Sequence, residues 1–447
     1  MKTKRFCSLF LLLTLCLSLL VPAGALSVDE MEVAAVSAIL VEGETGEVLF
    51  EQNSTARRAP ASLTKVMTAM LVIEKIDRGE LGAEQTITVS PTAREGLAAD
   101  GSTQNIKAGE EMSLKDLLYC TLVASANEAC NILAETVSGS VDSFVALMNQ
   151  RAAELGMEGT HYANPHGLHD PDHYTTAYDL WLLAREAMTH PLFRQIVATV
   201  DYYVPPTNLS EQRHFYNTNA LLTSWRYLGY TYRSAIGIKT GHTDAAGQCL
   251  LSAAQEDGRT LYCVVLGAEN VEQKDGSLLR NSFAESKRLL QWGFSNFERR
   301  AILSTTDLQG EVAVTLSKID RVVAAPAGTL EATLPNDLAI EDFTVTPTYI
   351  AESVQAPVEK GQVLGTVTVS YNGKAYGTMD LVALNAVERD EWMYRIHCVK
   401  TFLSQLWVKI ALGVILVLVV ILVIHHTLNG RRRRRYGARQ DSYRGRR

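Results

Sequence analysis

The pattern of hydrophobic and polar residues changes along this chain near residue 300. Before it, the pattern mixes strands and helices: short apolar runs typical of strands lie at both ends of this region, and longer helical stretches lie between them. Strands at both ends with helices between them predict a sheet whose first and last strands meet in space.

The same pattern of apolar runs and helical stretches predicts the individual elements of this first region. We predict paired strands at 36–41 and 48–50, a strand that begins at 237, and a hairpin of 248–254 with 260–266. Helices are predicted at 61–75, 114–137 and 283–297.

Period-two alternation dominates after residue 301. Runs at 312–316, 343–346 and 363–371 predict strands, and Asn372-Gly373 predicts a tight turn into one more. This second region is therefore predicted to be a small all-β domain, followed at 390–405 by a short connector of mixed composition. A chain of 447 residues is long enough for two or three domains.

The two ends of the chain are more hydrophobic than its middle. Lys2, Lys4 and Arg5 precede an apolar run that ends in Pro22-Ala23-Gly24-Ala25. This pattern is typical of a secretory signal peptide cleaved after Ala25, and a retained membrane anchor is the alternative. We therefore expect the chain to be exported.

A second apolar segment, 406–424, contains one charged residue, Lys409, near its start. About 20 such residues span a bilayer, so we predict a transmembrane helix. The five arginines at 431–435 follow directly, and arginines beside a span remain on the cytoplasmic side. The chain is thus predicted to be a single-pass membrane protein with its main part outside the cell and a short basic tail inside.

Charge is distributed unevenly. The formal net charge is −7, but the tail after His426 contributes +8 and the signal segment +3, which leaves −18 for the exported part. Such an acidic surface argues against nucleic acid or anionic lipid as a ligand.

Five cysteines remain after the signal peptide. Cys249 and Cys263 flank the predicted turn at Asp257-Gly258 and could face each other, but buried free thiols are the expectation. No Cys or His spacing suggests a metal site, so no metal or other cofactor is predicted.

Ser62-Leu63-Thr64-Lys65 places a serine and a lysine three residues apart at the start of a predicted helix, just after Pro60. Residues at i and i+3 share a helix face, so the amine can reach the hydroxyl. A serine needs a base to become a nucleophile, and burial lowers the pKa of a lysine towards that role. An ordinary helix start with a surface lysine is the alternative.

Ser125-Ala126-Asn127 interrupts the apolar stretch 117–137. These polar residues either cap a break between two helices or face a cleft. In a cleft, Ser125 would relay a proton to the leaving amine, and Asn127 would bond the substrate amide and Lys65.

Lys239-Thr240-Gly241 lies on a predicted strand. Gly241 leaves room for a ligand backbone to lie alongside as an added strand, whose terminal carboxylate would meet Lys239 and Thr240. The backbone N–H of His242 could pair with that of Ser62 as an oxyanion hole. A strand-end turn with a surface lysine is the alternative, but three such motifs in this order are typical of penicillin-sensitive acyl transferases.

A resemblance to a known family covers nearly the whole mature chain. It rests on these motifs and on four longer segments, 61–68, 164–168, 239–243 and the stretch from Ala284 through Phe294. The chain resembles the D-alanyl-D-alanine carboxypeptidases among the low-molecular-mass penicillin-binding proteins, the serine peptidases related to penicillin-binding protein 5. The resemblance implies an α+β catalytic domain of the serine β-lactamase and DD-peptidase type, an antiparallel sheet with helices, and then a small all-β domain. The expected organisation is a signal peptide at 1–25, a catalytic domain at 30–298, a β-rich domain at 301–390, a transmembrane helix at 406–424 and a basic tail at 425–447.

The resemblance also implies a reaction. A peptidoglycan stem peptide that ends in D-Ala-D-Ala would acylate Ser62, the last D-alanine would leave, and water would release the shortened peptide. β-Lactams would block the serine covalently. The implied roles are base for Lys65, proton shuttle for Ser125, and substrate binding for Asn127, Lys239, Thr240, Gly241 and His242.

The chain departs from the family in two places. Family members usually end in an amphipathic helix on the membrane, whereas 406–424 has the composition of a true span. Some relatives have an arginine just before the Glu-Ser-Lys helix that helps to hold the substrate carboxylate. Here Ser282 occupies the nearest position, and Arg280 lies two residues away.

Two other functions compete with this one. A class A β-lactamase shares the three motifs but needs a further glutamate to deacylate rapidly, and no Glu-x-x-Leu-Asn-like segment lies between Ser125 and Lys239. A non-catalytic wall-binding scaffold, with the β-domain as its active part, is the other. The intact motifs argue against it.

Overall fold

The computed structural model describes residues 31–99 and 101–441, with side chains described as far as residue 427. The predicted signal peptide at 1–25 lies outside these residues. The described chain divides into two compact units. One extends to Arg299 and includes Thr333–Asp337, and the other comprises Arg300–Ala332 and the chain from Leu338 onward.

The first unit alternates strands and helices. In chain order its elements are β1 Ser37–Glu42, β2 Val48–Gln52, a 3₁₀ turn Ala61–Thr64, α1 Lys65–Asp77, β3 Thr86–Thr88, β4 Glu111–Ser113, α2 Leu114–Leu122, α3 Asn127–Ser138, α4 Val141–Glu154, α5 Ala177–Ala187, α6 Pro191–Val197, β5 Asp201–Val204, β6 Arg213–Tyr216, β7 Ala235–Thr243, β8 Gly247–Glu256, β9 Arg259–Ala268, β10 Asn270–Glu272, β11 Leu278–Arg280 and α7 Asn281–Asn296.

A five-stranded sheet with the order β2-β1-β9-β8-β7 forms the centre of this unit. All of its pairings are antiparallel, and β1 pairs with β9 from Ser37↔Leu266 to Glu42↔Leu261. The prediction that the first and last strands meet is therefore confirmed. Strand β7 is at one edge, so one side of its backbone is free to pair with another segment.

Both faces of the sheet are covered. Because side chains alternate along a strand, Ile39 and Val41 of β1 pack into one core, which contains Met67 of α1. Ala38 and Leu40 pack into the other core, which contains Leu289 of α7. The sheet therefore lies between two layers of helix, which fix the positions of α1 and β7 relative to each other.

The stretch 114–137, predicted as one helix, is two helices with a break at 123–126. Ser113 caps α2 by accepting from Asp116 N–H, and α3 begins at Asn127. Within the break Ser125 has a left-handed φ of 63°, a conformation that a continuous helix does not contain. The apolar periodicity continues through the break because both helices bury their residues in the same core.

The two hairpin cysteines do not face each other. On β9 Cys263 pairs with Ser252, whereas Cys249 lies beside Gly241 of β7. All five cysteines in the described residues are free thiols, and four of them are buried. The expectation of buried free thiols is confirmed for those four, and Cys398 is exposed.

The elements from residue 297 onward are mostly strands. They are β12 Phe297–Leu303, β13 Glu311–Thr315, β14 Arg321–Pro326, β15 Leu330–Pro335, a 3₁₀ turn Ile340–Asp342, β16 Thr344–Tyr349, β17 Ser353–Gln355, β18 Val363–Tyr371, β19 Lys374–Ala383, α8 Glu391–Ser404 and α9 Leu406–Asp441.

A six-stranded sheet with the order β16-β18-β19-β14-β13-β17 dominates this second part, as predicted for an all-β domain. Asn372 and Gly373 both have positive φ, 48° and 80°, as a tight turn between β18 and β19 requires. The connector of mixed composition predicted at 390–405 contains the helix α8, which was not predicted. Within α9, Leu406–Thr427 is long and apolar enough to cross a membrane.

Candidate active site

Ser62 lies on the 3₁₀ turn that leads directly into α1. Ala61, just before it, has a left-handed φ of 47°, which is unfavourable for a residue with a side chain and is found at constrained sites. Lys65 is the first residue of α1, and helical side chains tilt towards the helix N-terminus. Its Nζ consequently lies 2.8 Å from Ser62 Oγ.

Lys65 is completely buried and has two further partners. Its Nζ donates to Asn127 Oδ1 at 2.8 Å and to the backbone carbonyl oxygen of His166 at 2.7 Å. A neutral amine has two N–H donors and one lone pair, and these two carbonyl oxygens can only accept. They therefore take both donors of the neutral lysine and leave its lone pair facing the Ser62 hydroxyl.

Burial is also the main cause of a shift in the acidity of this amine. Loss of hydration lowers the pKa of Lys65 from 10.5 to about 8, although nearby Glu128 acts in the opposite direction. A lysine with such a pKa is neutral in part of the molecules at neutral pH. It can therefore accept the serine proton.

The break between α2 and α3 brings Ser125 and Asn127 to the same place. Both line a cleft beside Ser62, so the break both separates two helices and faces a cleft. Asn127 N–H donates to Ser102 O at 2.9 Å, and the buried carboxylate of Glu128 accepts from Thr103 Oγ1 at 2.7 Å. These bonds hold the loop around Ser102 against the start of α3.

Strand β7 forms the opposite wall. Gly241 lies so near Ser62 that a Cβ added to it would be 3.2 Å from Ser62 N and 3.1 Å from Pro60 O. Lys239 is buried, and its Nζ donates to Thr240 O at 3.0 Å. Thr240 Oγ1 lies 2.6 Å from the hydroxyl oxygen of Thr218. Burial, and then the charge of Lys65, keep the pKa of Lys239 well below its ordinary value, so an anion bound beside it would restore its positive charge.

A segment that follows α4 holds the start of α1 in place. The hydroxyl of Thr68 donates to Pro165 O at 2.6 Å, and the His166 carbonyl accepts from Lys65. A Cβ added to Gly167, whose φ is 89°, would lie 1.8 Å from Ala61 O. Only glycine allows this approach, so the segment fixes the turn that carries Ser62.

His173 is connected to the same turn through a chain of hydrogen bonds. Its Nδ1 accepts from Ala163 N–H at 2.9 Å, so the neutral ring carries its proton on Nε2, which lies 2.8 Å from Thr64 Oγ1. The Thr64 hydroxyl then donates to Ala61 O at 2.8 Å. Burial lowers the pKa of His173 to about 4, so the ring stays neutral. The hydrogen bonds therefore keep the order Nε2–H to Thr64, and Thr64 to Ala61 O.

The cleft has a volume of about 1050 Å³. Six of the eight site residues predicted from sequence line it, and Lys65 and Lys239 are buried beside it. Other residues of the lining were not selected from the sequence, because no motif marks them. They include Thr218, Arg226, Gly96, Leu97, Ala98, Gly101 and Ser102. Arg280 and Ser282 both line the cleft, and the Arg280 guanidinium lies 3.5 Å from the centre of the Tyr227 ring.

Outside the cleft, the two carboxylates of Glu74 and Glu186 and the imidazole of His190 lie close enough to one another to hold a metal ion. Arg151 donates to Glu74 Oε1 at 2.9 Å and to Glu186 Oε1 at 2.7 Å. Both carboxylates are thus engaged in ion pairs within the protein.

Comparison with known proteins places this geometry in a family. The family model described as D-alanyl-D-alanine carboxypeptidase matches residues 25–270, and the family model for the C-terminal domain of penicillin-binding protein 5 matches residues 297–389. D-alanyl-D-alanine carboxypeptidase DacF of Bacillus subtilis is 30% identical over 360 residues, 79% of this chain and 86% of that protein. DacA of Escherichia coli K12 is 28% identical over 368 residues, 82% of this chain and 86% of its own length. The crystal structure of penicillin binding protein 5 from Haemophilus influenzae has a TM-score of 0.62 at 28% identity and covers 80% of this chain and 99% of that one.

A serine beside a buried lysine, next to the open edge of an antiparallel sheet, defines a serine hydrolase of the penicillin-binding type. The chain belongs to the D-alanyl-D-alanine carboxypeptidase family. It is a serine-type D-Ala-D-Ala carboxypeptidase with a fold like that of penicillin-binding protein 5, and the β-lactamase and scaffold alternatives are not supported.

Proposed function

We propose that Ser62 is the nucleophile that takes the acyl group of a peptidoglycan stem pentapeptide, and that Lys65 is its base. One observation carries the proposal. The buried Lys65 amine lies 2.8 Å from Ser62 Oγ, with its two N–H donors taken by Asn127 and His166. A base held in this way needs no reorganisation before it removes the serine proton.

In the proposed acylation, Ser62 Oγ attacks the carbonyl carbon of the penultimate D-alanine as its proton passes to Lys65 Nζ. The backbone N–H groups of Ser62 and His242 would stabilise the resulting oxyanion. The close approach of Gly241 to Ser62 N supports this pairing. Ser125 would donate a proton to the departing D-alanine amine as it takes the proton from Lys65, and a water molecule would then hydrolyse the ester on Ser62.

The substrate would lie along the free edge of β7 as an additional strand. Its terminal carboxylate would meet Lys239 and Thr240, and the buried position of Lys239 makes a negative charge at this point favourable. Asn127 would bond the peptide amide. Arg280 lines the same cleft and could supply the arginine that the sequence lacks at position 282.

The proposed organisation is a signal peptide at 1–25, a catalytic domain at 30–298, a β-rich domain at 301–390, a transmembrane helix at 406–424 and a tail at 425–447. The catalytic domain would lie outside the bacterial membrane and the arginine-rich tail inside it. The length and apolar composition of Leu406–Thr427, and its exposed apolar side chains, support the membrane span.

Benzylpenicillin tests the identity of the nucleophile. We expect a stoichiometric adduct that persists for many minutes on the peptide containing Ser62, because the described cleft offers no glutamate arranged to activate a deacylating water. Mass spectrometry of the digested protein measures it. Rapid turnover of the drug without a persistent adduct, as in a class A β-lactamase, would contradict the proposal.

Truncation tests the membrane anchor. A chain that ends at Gln405 should move from the membrane fraction to the soluble fraction and keep its activity on a soluble pentapeptide. Fractionation followed by immunoblotting measures this. In the control variant a leucine-rich helix of the same length replaces Leu406–Thr427, and this variant should remain in the membrane fraction. If the truncated chain stayed in the membrane fraction, α8, with its exposed Trp392, would be the anchor instead.

A further inference from the structure

A row of exposed aromatic rings lies on the β5–β6 hairpin and the loop after it. The ring centres of Tyr203 and His214 are 3.9 Å apart with planes at 2°, and those of Tyr216 and Trp225 are 4.6 Å apart with planes at 12°. His214 and Tyr216 connect the two pairs at 4.6 Å. We call these four residues the aromatic ladder.

The hairpin register explains only part of the ladder. Tyr203 faces His214 across the strands, and His214 and Tyr216 alternate onto the same face of β6 while Phe215 points into the core. Such cross-strand pairs stabilise a hairpin. Trp225 lies outside the hairpin, so its stacking on Tyr216 is not required by strand pairing.

The two terminal rings offer open faces. Tyr203 is 54% exposed and Trp225 is 62% exposed, although each has one face covered by its stacking partner. Stacking holds both rings in a fixed orientation with the other face towards solvent. Large exposed aromatic groups of this kind mark interaction sites, and a flat ring with a polar edge suits a ligand that is both apolar and hydrogen-bonding.

The ladder adjoins the catalytic cleft. Arg226 and Tyr227, which follow Trp225, line that cleft. Within the ladder, His214 lines a second cavity of about 550 Å³ together with Gln104 and Asn105. Their side-chain amides can both donate and accept hydrogen bonds, as sugar hydroxyl and acetamido groups require.

We propose that the aromatic ladder binds the glycan strand of peptidoglycan, a polymer of N-acetylated amino sugars, while the stem peptide attached to that strand enters the catalytic cleft. The flat C–H faces of pyranose rings would lie on Tyr203 and Trp225. The inference rests on the proposed function, because a stem peptide brings its sugar to this position. The charge of −18 on the exported part disfavours polyanions, whereas these sugars in intact peptidoglycan are neutral.

Binding without turnover tests the inference. The probe is the neutral β-1,4-linked hexamer of N-acetylglucosamine, titrated calorimetrically into the full-length Ser62→Ala protein in detergent. In that background Trp225→Ala and Tyr203→Ala should each weaken binding about tenfold, since a stacked ring contributes roughly that factor. Trp225→Phe, which keeps a ring, should retain most of the affinity. Tyr178→Ala removes an exposed tyrosine outside the ladder and should have no effect.

A kinetic ratio gives the second measurement. With Ser62 intact, Trp225→Ala should lower kcat/KM for pentapeptide-bearing glycan strands, relative to that for free pentapeptide, by about tenfold. Acylation by penicillin of the same substitutions in the protein with Ser62 intact verifies that they leave it folded. Absence of hexamer binding by the Ser62→Ala parent, or binding by both alanine variants that is as tight as that of the parent, would overturn the proposal. Failure of the proposed function would appear separately, as absence of D-alanine release from free pentapeptide.

Discussion

Replacement of Ser62 by alanine is expected to lower the rate of D-alanine release from a stem pentapeptide by at least about ten-thousandfold. The oxygen that forms the acyl ester is then missing, and loss of a nucleophile in sites of this kind removes nearly all catalysis. The remaining groups should still bind the peptide, so the dissociation constant should change little. Enzymatic detection of free D-alanine measures the rate, and equilibrium binding measures the affinity.

Ser295→Ala is the matched control, because it removes a hydroxyl from the exposed face of α7. It should leave the rate unchanged. If Ser62→Ala released D-alanine as fast as the unmodified protein, the covalent mechanism would be excluded.

Lys65→Met is expected to slow acylation by about a hundredfold to ten-thousandfold, which is the usual contribution of a positioned general base. The variant keeps the length of the side chain but leaves Asn127 Oδ1 and His166 O without their donor. A loss of unfolding free energy of about 1–3 kcal/mol for each buried group should accompany it. The measurement is the rate of covalent labelling by penicillin, which does not depend on deacylation.

A pH profile separates the role of base from a structural one. The base must be neutral, and the pKa of Lys65 is about 8, so acylation by the unmodified protein should rise tenfold per pH unit below 8 and level off above it. The Lys65→Met variant should lose this rise. Lys75→Met removes a half-buried lysine of the same helix, whose ion pair with Glu80 lies at the surface, and should keep both rate and profile. A profile of unchanged shape in Lys65→Met would show that another group is the base.

Local sequence patterns were sufficient for most of the catalytic unit. The spacing of Ser62 and Lys65 already predicts that they touch, because three residues at a helix start lie on one face. Two apolar segments on either side of Asp257-Gly258 predicted the β8–β9 hairpin, and Asn372-Gly373 predicted the turn between β18 and β19. Each of these features depends on interactions between residues that are close in sequence.

Features that depend on distant residues were not predictable. The carbonyl of His166 is 101 residues from Lys65, and the ring of His173 is 109 residues from Thr64. Neither a backbone acceptor nor a buried histidine leaves a periodic signal. The distance of Cys249 from Cys263 depends on the strand register, which composition does not specify.

The helix α8 was missed for a different reason. Its apolar residues, among them Trp392, Ile396 and Val399, recur at helical spacing but are exposed. Charged residues between them lower the contrast that usually marks an amphipathic face. A short segment with such a weak pattern has the composition of a linker.

Chemical trapping of the reaction on its natural type of substrate tests the central claim most directly. The purified full-length protein is mixed with a stem pentapeptide that ends in D-Ala-D-Ala, quenched in acid within one turnover, and analysed by mass spectrometry after digestion. We expect the peptide that contains Ser62 to carry the tetrapeptidyl mass, in equal amount to the D-alanine released. Release of D-alanine with no adduct on that peptide, or with the adduct on another residue, would contradict the account.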